Sequence, residues 1–381
     1  MVAHAKDPQV LVFSHRFRPD GYGRQPGYIG FGEAEDVLAA VSGADWAHLN
    51  VSSEARMLRV RRAAGRQYRR LAGRSRDLPG FMAHGRAGFG YHSDGPLRPR
   101  YDLAVFVAIT VWDLPLLERV LDARRRADRV VVWFPEVWPL ELADPRLALE
   151  PFALADDIFV GVADSAPILS NLLGRPVHYL PMAADVMRFA ALNPTEPRPV
   201  DVLGIGRRLP ALHDALLDWA AKTGRHYLYD TISGGEVHDV AAHRENLAAT
   251  YRRAKLAITH FAKFDRPDEI GDQRENPGRL WEGLASGVVM AGMPPRPELQ
   301  RRFPGDEVVI ELPREPHEAV AAIDELVQQA HEDLRRHHVG LALTGNDWGH
   351  RWRTVFVTAD LPLPSGLQTR LDHLASLAGG L

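Results

Sequence analysis

The 381-residue chain contains no cysteine. Disulfides, thiolate metal sites and cysteine nucleophiles are excluded, and the redox compartment leaves no mark on the sequence. Lysine is nearly absent: Lys6, Lys222, Lys255 and Lys263 are the only four among 46 basic residues. A phosphate clamp is therefore expected to consist of arginine and backbone amides. There is no glycine–lysine–serine/threonine run, so a phosphate-binding P-loop is excluded. No apolar run is long enough to span a bilayer. The net charge of -3 offers no global attraction to nucleic acid or to an anionic membrane, so nucleic acid is not expected as a partner. Residues 1–9 are polar and lack a signal-peptide core, which makes the cytoplasm the expected location.

What is present is the balance of a globular protein, 45% hydrophobic and 25% charged, at a length that suits two domains. Val10-Leu11-Val12-Phe13 reads as a buried parallel strand. A glycine-rich loop follows over 21–32 and a helical pattern over 34–41. Strand, glycine loop and helix together open a Rossmann-like unit. Further strands read at 103–107, 129–134 and 157–162, with helical stretches at 114–126 and 166–173. Pro194, Pro197 and Pro199 mark 191–199 as an interdomain linker. The alternation then restarts, with strands at 200–205, 227–229, 256–259, 288–291 and 308–311. Helices read at 209–223, 243–253, 278–286 and 315–330. The expected class is α/β, two Rossmann-like domains with parallel sheets, over residues 1–192 and 193–359.

Residues 56–76 carry nine arginines and no acid. Met57, Val60, Ala64, Tyr68 and Leu71 fall at helical spacing beneath them. This is either a solvated helix face or a patch for an acidic acceptor or a peripheral contact with anionic lipid.

The most informative stretch runs from Asn276 through Pro277, Gly278, Arg279, Leu280, Trp281 and Glu282 to Gly287 and Val288-Val289-Met290. Asn276 suits a helix N-cap and Pro277 the first helical position. Gly278 leaves room for a ligand at the helix start, where free N–H groups and positive potential suit a diphosphate. Glu282, one turn in, is placed to accept the hydroxyls of a ribose, or else is a surface glutamate. After β-like 200–205, Gly204-Ile205-Gly206-Arg207-Arg208 offers a close-approach turn and two guanidinium groups for phosphate. Leu209 stands where a dinucleotide fingerprint needs its third glycine, so that match is incomplete.

The segment with Arg279, Trp281, Glu282, Ala285, Gly287 and Val288-Val289 resembles the GT-B glycosyltransferases, in particular the bacterial "glycosyl transferases group 1" C-terminal domain. The resemblance extends through Asn346-Asp347-Trp348 and Arg351, similar to that family's closing helix. The junction Tyr179-Leu180-Pro181, Asp185 and Phe189 also resembles it. It implies two domains facing across a cleft, with 360–381 packing back on the first. It implies a nucleoside-diphosphate sugar donor held by the second domain through Gly206, Arg207, Arg208, Asn276, Gly278, Arg279 and Glu282. No cofactor or metal ion is expected, because no acidic metal pair stands out. Many retaining members separate two glutamates by seven residues, whereas Glu275 and Glu282 have six between them. Many also follow the phosphate arginine with a lysine, and none follows here.

In the first half, candidates sit at the carboxyl ends of strands, where open α/β sheets bind ligands. His15 and Arg16 follow the first strand. Glu136, flanked by Phe134 and Trp138, is either an acceptor-side base or a paired structural glutamate. His84 and His92 flank a glycine-rich stretch that would border the acceptor. Asp156-Asp157 reads as a turn. His331, His337 and His338 read as solvated rather than metal-binding. Three rivals stand beside glycosyl transfer: an NAD-dependent oxidoreductase, a non-catalytic nucleotide-sugar-binding protein, and a nucleotide-sugar epimerase of the same fold. The base, sugar, acceptor and stereochemistry are left open.

Overall fold

A computed structural model describes residues 7–16, 23–49, 91–93, 95–111, 113, 125–144, 147, 149–193, 196–231 and 236–381. The residues of the arginine-rich 56–76 stretch, His84 and all but the last two residues of the expected 114–126 helix lie outside that set.

The strands form two sheets. The first has seven strands in the order β3-β2-β1-β4-β5-β6-β7. These are β1 Val10–Ser14, β2 Asp45–Leu49, β3 Tyr91–His92, β4 Tyr101–Val107, β5 Ala127–Phe134, β6 Asp157–Val160 and β7 His178–Tyr179. All neighbours run parallel except the β2–β3 pair at the edge. The second sheet is parallel throughout, in the order β12-β11-β10-β8-β9. Its strands are β8 Val200–Gly204, β9 Tyr227–Tyr229, β10 Ala254–His260, β11 Val289–Met293 and β12 Ile310–Glu311.

Continuous apolar runs form these strands because both faces are covered by helices, leaving no solvent side for a polar alternation. All five residues of β1 are buried, as are all five of β8. Sheet order reverses between β1 and β4 in the first half and between β8 and β10 in the second. Crevices at the carboxyl ends of strands beside such a reversal are where open α/β sheets take ligands.

The two halves share a core. The segment Val186–Phe189 and the closing helix Trp348–Thr358 sit at the junction. Trp348 and Trp352 both meet Trp133 of β5 edge-on, at 5.6 and 6.3 Å between ring centres. The Trp352 indole donates to the Ala34 carbonyl at 2.9 Å, and that of Trp133 to the Leu180 carbonyl at 3.1 Å. Asp347 caps the closing helix and also accepts the Val186 N–H at 2.9 Å. Arg370, on the last helix Ser365–Gly379, bonds both Asp347 and Asp185. That helix packs against Ile29–Ser42 of the first half and Glu332–Gly345 of the second. Arg351 is buried and donates to the carbonyls of Pro181, Met182 and Gly345.

Candidate functional site

The carboxyl ends of the two sheets meet. Glu136, after β5, lies 3.4 Å from Lys263, after β10. The Ala163 N–H, after β6, donates to Glu275 at 2.9 Å. The Met182 methyl sits beside Gly30 and beside Gly278. The start of the first-half helix Ile29–Ser42 therefore faces the start of Gly278–Ala285 across one side chain.

On the second-sheet side, β8 ends in a turn that only glycine fits comfortably. Gly206 has φ +76, and a Cβ there would lie 2.3 Å from the Arg279 guanidinium. Arg279 thus lies directly on the turn, bringing the Gly-x-Gly loop and the Gly278–Ala285 helix together as expected from the sequence. The helix begins at Gly278 as read from the sequence, but with Pro277 outside it rather than at its first position. Pro277 has an extended backbone, and the helix starts at Gly278 without a side-chain cap. Because Pro277 itself is extended, ψ 154, it takes the N-cap position and Asn276 stands one residue outside the helix, where it does not cap. Its buried amide makes no hydrogen bond to the described residues.

His260, the last residue of β10, is buried and shares a small cavity with Gly204, Ile205, Arg207 and Arg208. Burial, with the Arg279 charge second, pushes its imidazole down to about 4. The ring is neutral at pH 7, and its Nδ1 accepts the Met293 N–H at 3.2 Å. Nε2 is then an N–H donor, buried and without a partner. Unpaired buried polar groups cost about 1–3 kcal/mol each. Two such groups, His260 and Asn276, stand beside an arginine and an uncapped helix start.

The other expected residues divide. Arg207 is half exposed, 3.1 Å from Asp265. Arg208 is turned back onto the sheet: Nη1 donates to the Asp230 carboxylate and carbonyl, both at 2.6 Å, and its guanidinium covers Tyr229. The Gly206 amide is also taken by Asp230, at 2.9 Å. Arg208 and Gly206 therefore shape the turn, while Arg207 and Arg279 present charge. Glu282 lies one turn into the helix, with Oε1 bonded to Arg244.

Lysine enters the site after all. Lys263 follows β10 with a left-handed backbone, φ 53, and is paired with Glu136 and Glu269 at 3.4 and 3.2 Å. Burial works against its charge, but Glu136 and Glu269 hold it above the ordinary lysine value. Tyr28 stands close by: Glu136, then burial, push its phenol up to about 12. This lysine stands at the end of β10 rather than in the turn after β8, and its charge is paired with two carboxylates.

On the first-sheet side, Arg16 is not presented to a ligand. It donates to the Gly32 carbonyl at 2.6 Å and to Asp36 at 2.5 Å, and lies over Trp46. Gly32, Asp36 and Trp46 hold the guanidinium, so it braces the Ile29–Ser42 helix. His15 is buried at the end of β1, 4.0 Å from Asp113 and against Phe106. Glu275 is buried, accepting from Ala163 and from Gln273 at 2.9 Å each. Burial, then Glu298, push its carboxyl up to about 8. It joins the halves and lies apart from the Arg244 contact that holds Glu282. Among the described residues no cluster of histidines and carboxylates could hold a metal ion. None of their helices is long and apolar enough to cross a membrane.

No family model and no curated protein matches the sequence. Solved structures do. One is an alpha-glucosyltransferase in complex with UDP and a 13-mer DNA containing a HMU base, at 11% identity and TM-score 0.54, covering 93% of this chain and 100% of that one. Another is an OtsA apo structure, at 13% identity and TM-score 0.51, with 93% and 100% covered. The chain has the GT-B fold, two Rossmann-like α/β halves joined at their carboxyl ends.

Sequence reasoning missed His260, Lys263, Tyr28, Arg244 and Glu33. The first two were within reach, because each ends or follows a strand beside the order reversal, and Lys263 is one of only four lysines. Glu33 and Arg244 gave no local signal, being 211 residues apart in the chain.

Proposed function

We propose that the protein transfers a sugar from a nucleoside-diphosphate sugar to an acceptor, without a resident metal ion. One observation carries the reading: buried, unpartnered His260 Nε2 and Asn276 beside Arg279 and the open start of Gly278–Ala285. The fold supports it, as a fold in which a structurally similar enzyme holds UDP.

In this reading the diphosphate lies over the Gly278–Arg279 amides, facing Arg279, Arg207 and Lys263. Glu282 takes the ribose. As the bond from the anomeric carbon to the phosphate oxygen breaks, negative charge grows on the leaving diphosphate. Preformed charges and the helix start stabilise it there without reorganising. The acceptor oxygen bonds to the anomeric carbon and its proton passes to Glu136, with His15 further along the same edge. The Lys263–Glu136 pair must open for either side chain to act.

The acceptor is left open. A structurally similar enzyme is bound to DNA, so modified DNA belongs in an acceptor screen beside sugars and small molecules, in place of the expectation that nucleic acid is no partner.

The test is a panel of nucleotide sugars, nucleoside diphosphates and NAD, read by thermal shift and by release of nucleoside diphosphate. A nucleoside diphosphate should raise the melting temperature by selective binding to the folded state. Its sugar conjugate should be consumed in excess EDTA. Binding without turnover on any acceptor supports a non-catalytic protein; a shift with NAD alone supports the oxidoreductase.

A further inference from the structure

We infer that Arg244 is a positioning residue that holds the ribose-binding carboxylate, an inference that rests on the donor reading above. Arg244 lies on Val240–Arg252 and is 4% exposed. Its Nε and Nη2 grip both oxygens of Glu33 at 2.7 and 3.0 Å. Its remaining arm, Nη1, donates to Oε1 of Glu282. Phe189 stacks against the guanidinium at 4.7 Å.

Glu33 is a fixed anchor. It also accepts the Asp185 N–H at 2.8 Å, the Trp348 indole N–H at 3.1 Å and Arg188 at 3.2 Å. With Glu33 immobile and gripped at two points, the planar guanidinium has one orientation, and so has the arm that reaches Glu282. Burial opposes the charge of Arg244, yet Glu282 and Glu33 together hold it above the ordinary arginine value. A Glu33–Arg244 pair alone would join the two halves. The third contact goes instead to the helix whose start forms the phosphate site. It leaves Oε2 of Glu282 without a hydrogen bond among the described residues. That oxygen is the one free for a ribose hydroxyl, and its direction is set from the first half of the molecule.

A lysine could keep the charge but could not span two carboxylates with a planar fork. The experiment is calorimetric binding of UDP, ADP and GDP and their 2′-deoxy counterparts to wild type, Arg244→Gln, Arg244→Lys and Glu33→Gln. Wild type should prefer the best-bound ribonucleotide over its deoxy form by about tenfold, the effect of one buried hydroxyl partner. Arg244→Gln should reduce that preference below threefold while the deoxy affinity stays within threefold of wild type. Arg244→Lys should recover part of it. Should Arg244→Gln not fold, Glu33→Gln, which keeps the Glu282 contact but loosens the anchor, should halve the preference or more. An undiminished preference in the folded Arg244 and Glu33 variants overturns the positioning role and leaves the donor reading standing. Wild-type binding with no preference for ribose removes the role of Glu282 and the inference with it. No binding of any of the six nucleotides overturns the donor reading and the inference together.

Discussion

The two sheets end in the same crevice but place their arginines and helix starts differently. At the first edge, Arg16 is consumed by Gly32, Asp36 and Glu35, and Ser14 donates to Glu35 at 2.9 Å. At the second, His260 and Asn276 are buried with hydrogen-bonding atoms unused. We propose the second edge for the ligand because its unused donors stand beside Arg279 and an uncapped helix start, and an unpaired buried donor lowers stability until something binds it. Two neighbouring arginines repeat the contrast in miniature: Arg208 closes on Asp230 and Arg207 faces outward.

The largest effect should come from a methyl group on the turn. Gly206→Ala imposes a side chain at φ +76 and drives it into Arg279, displacing the guanidinium from the phosphate site. Turnover is expected to fall by about 100-fold, with the backbone itself costing about 1–2 kcal/mol of stability. The matching change on the other side of the crevice, Gly30→Ala, meets only the Met182 methyl at 3.7 Å and should leave turnover within about threefold. Equal losses in steady-state kinetics would erase the contrast between the edges.

Glu275 sharpens the comparison from the seam. Its carboxyl is raised in the fold from an ordinary 4.5 to about 8. The native state therefore keeps a proton that the unfolded chain releases. The stability this contributes is complete below about pH 4.5 and is lost as pH rises through about 8. Glu275→Gln should be more stable than wild type above pH 8, by roughly 1–3 kcal/mol, and should flatten the decline between pH 5 and 8. Urea melts at pH 5 and 8.5 check it; a wild-type stability that rises across this range would contradict the assignment.

The smaller effects separate the arginines. Arg207→Ala should weaken nucleoside diphosphate binding about tenfold with little change in melting temperature. Arg208→Ala and Arg16→Ala should each lower stability by about 1–3 kcal/mol, since each strips a buried or half-buried set of acceptors of its donor. Nucleotide affinity should change less than threefold for Arg16→Ala. Thermal melts and calorimetry on the three variants distinguish the roles.

The order of strands and helices was legible because parallel strands covered on both faces leave unbroken apolar runs, as in Val10–Ser14 and Val200–Gly204. Asp45–Leu49 escaped notice because its sequence, DWAHL, breaks that pattern with two polar residues. The second-sheet site was partly legible: a glycine turn and a helix start are local features, and Gly206, Arg279 and Gly278 do come together. Which arginine is spent and which is presented was not legible. That depends on Asp230 and Asp265, whose positions are fixed by tertiary packing. Nor were the cross-cleft pairs Glu136–Lys263 and Glu33–Arg244, which exist only once two separately built sheets meet.

The most direct test of the asymmetry is hydrogen exchange, with and without the nucleoside diphosphate that stabilises the protein most. Added protection is expected at 204–208, 260–263 and 276–282, at the carboxyl end of the second sheet, with 14–16 and 108–111 unchanged. Protection centred on 14–16 and 108–111, with none at 276–282, would place the ligand on the first edge and contradict the account.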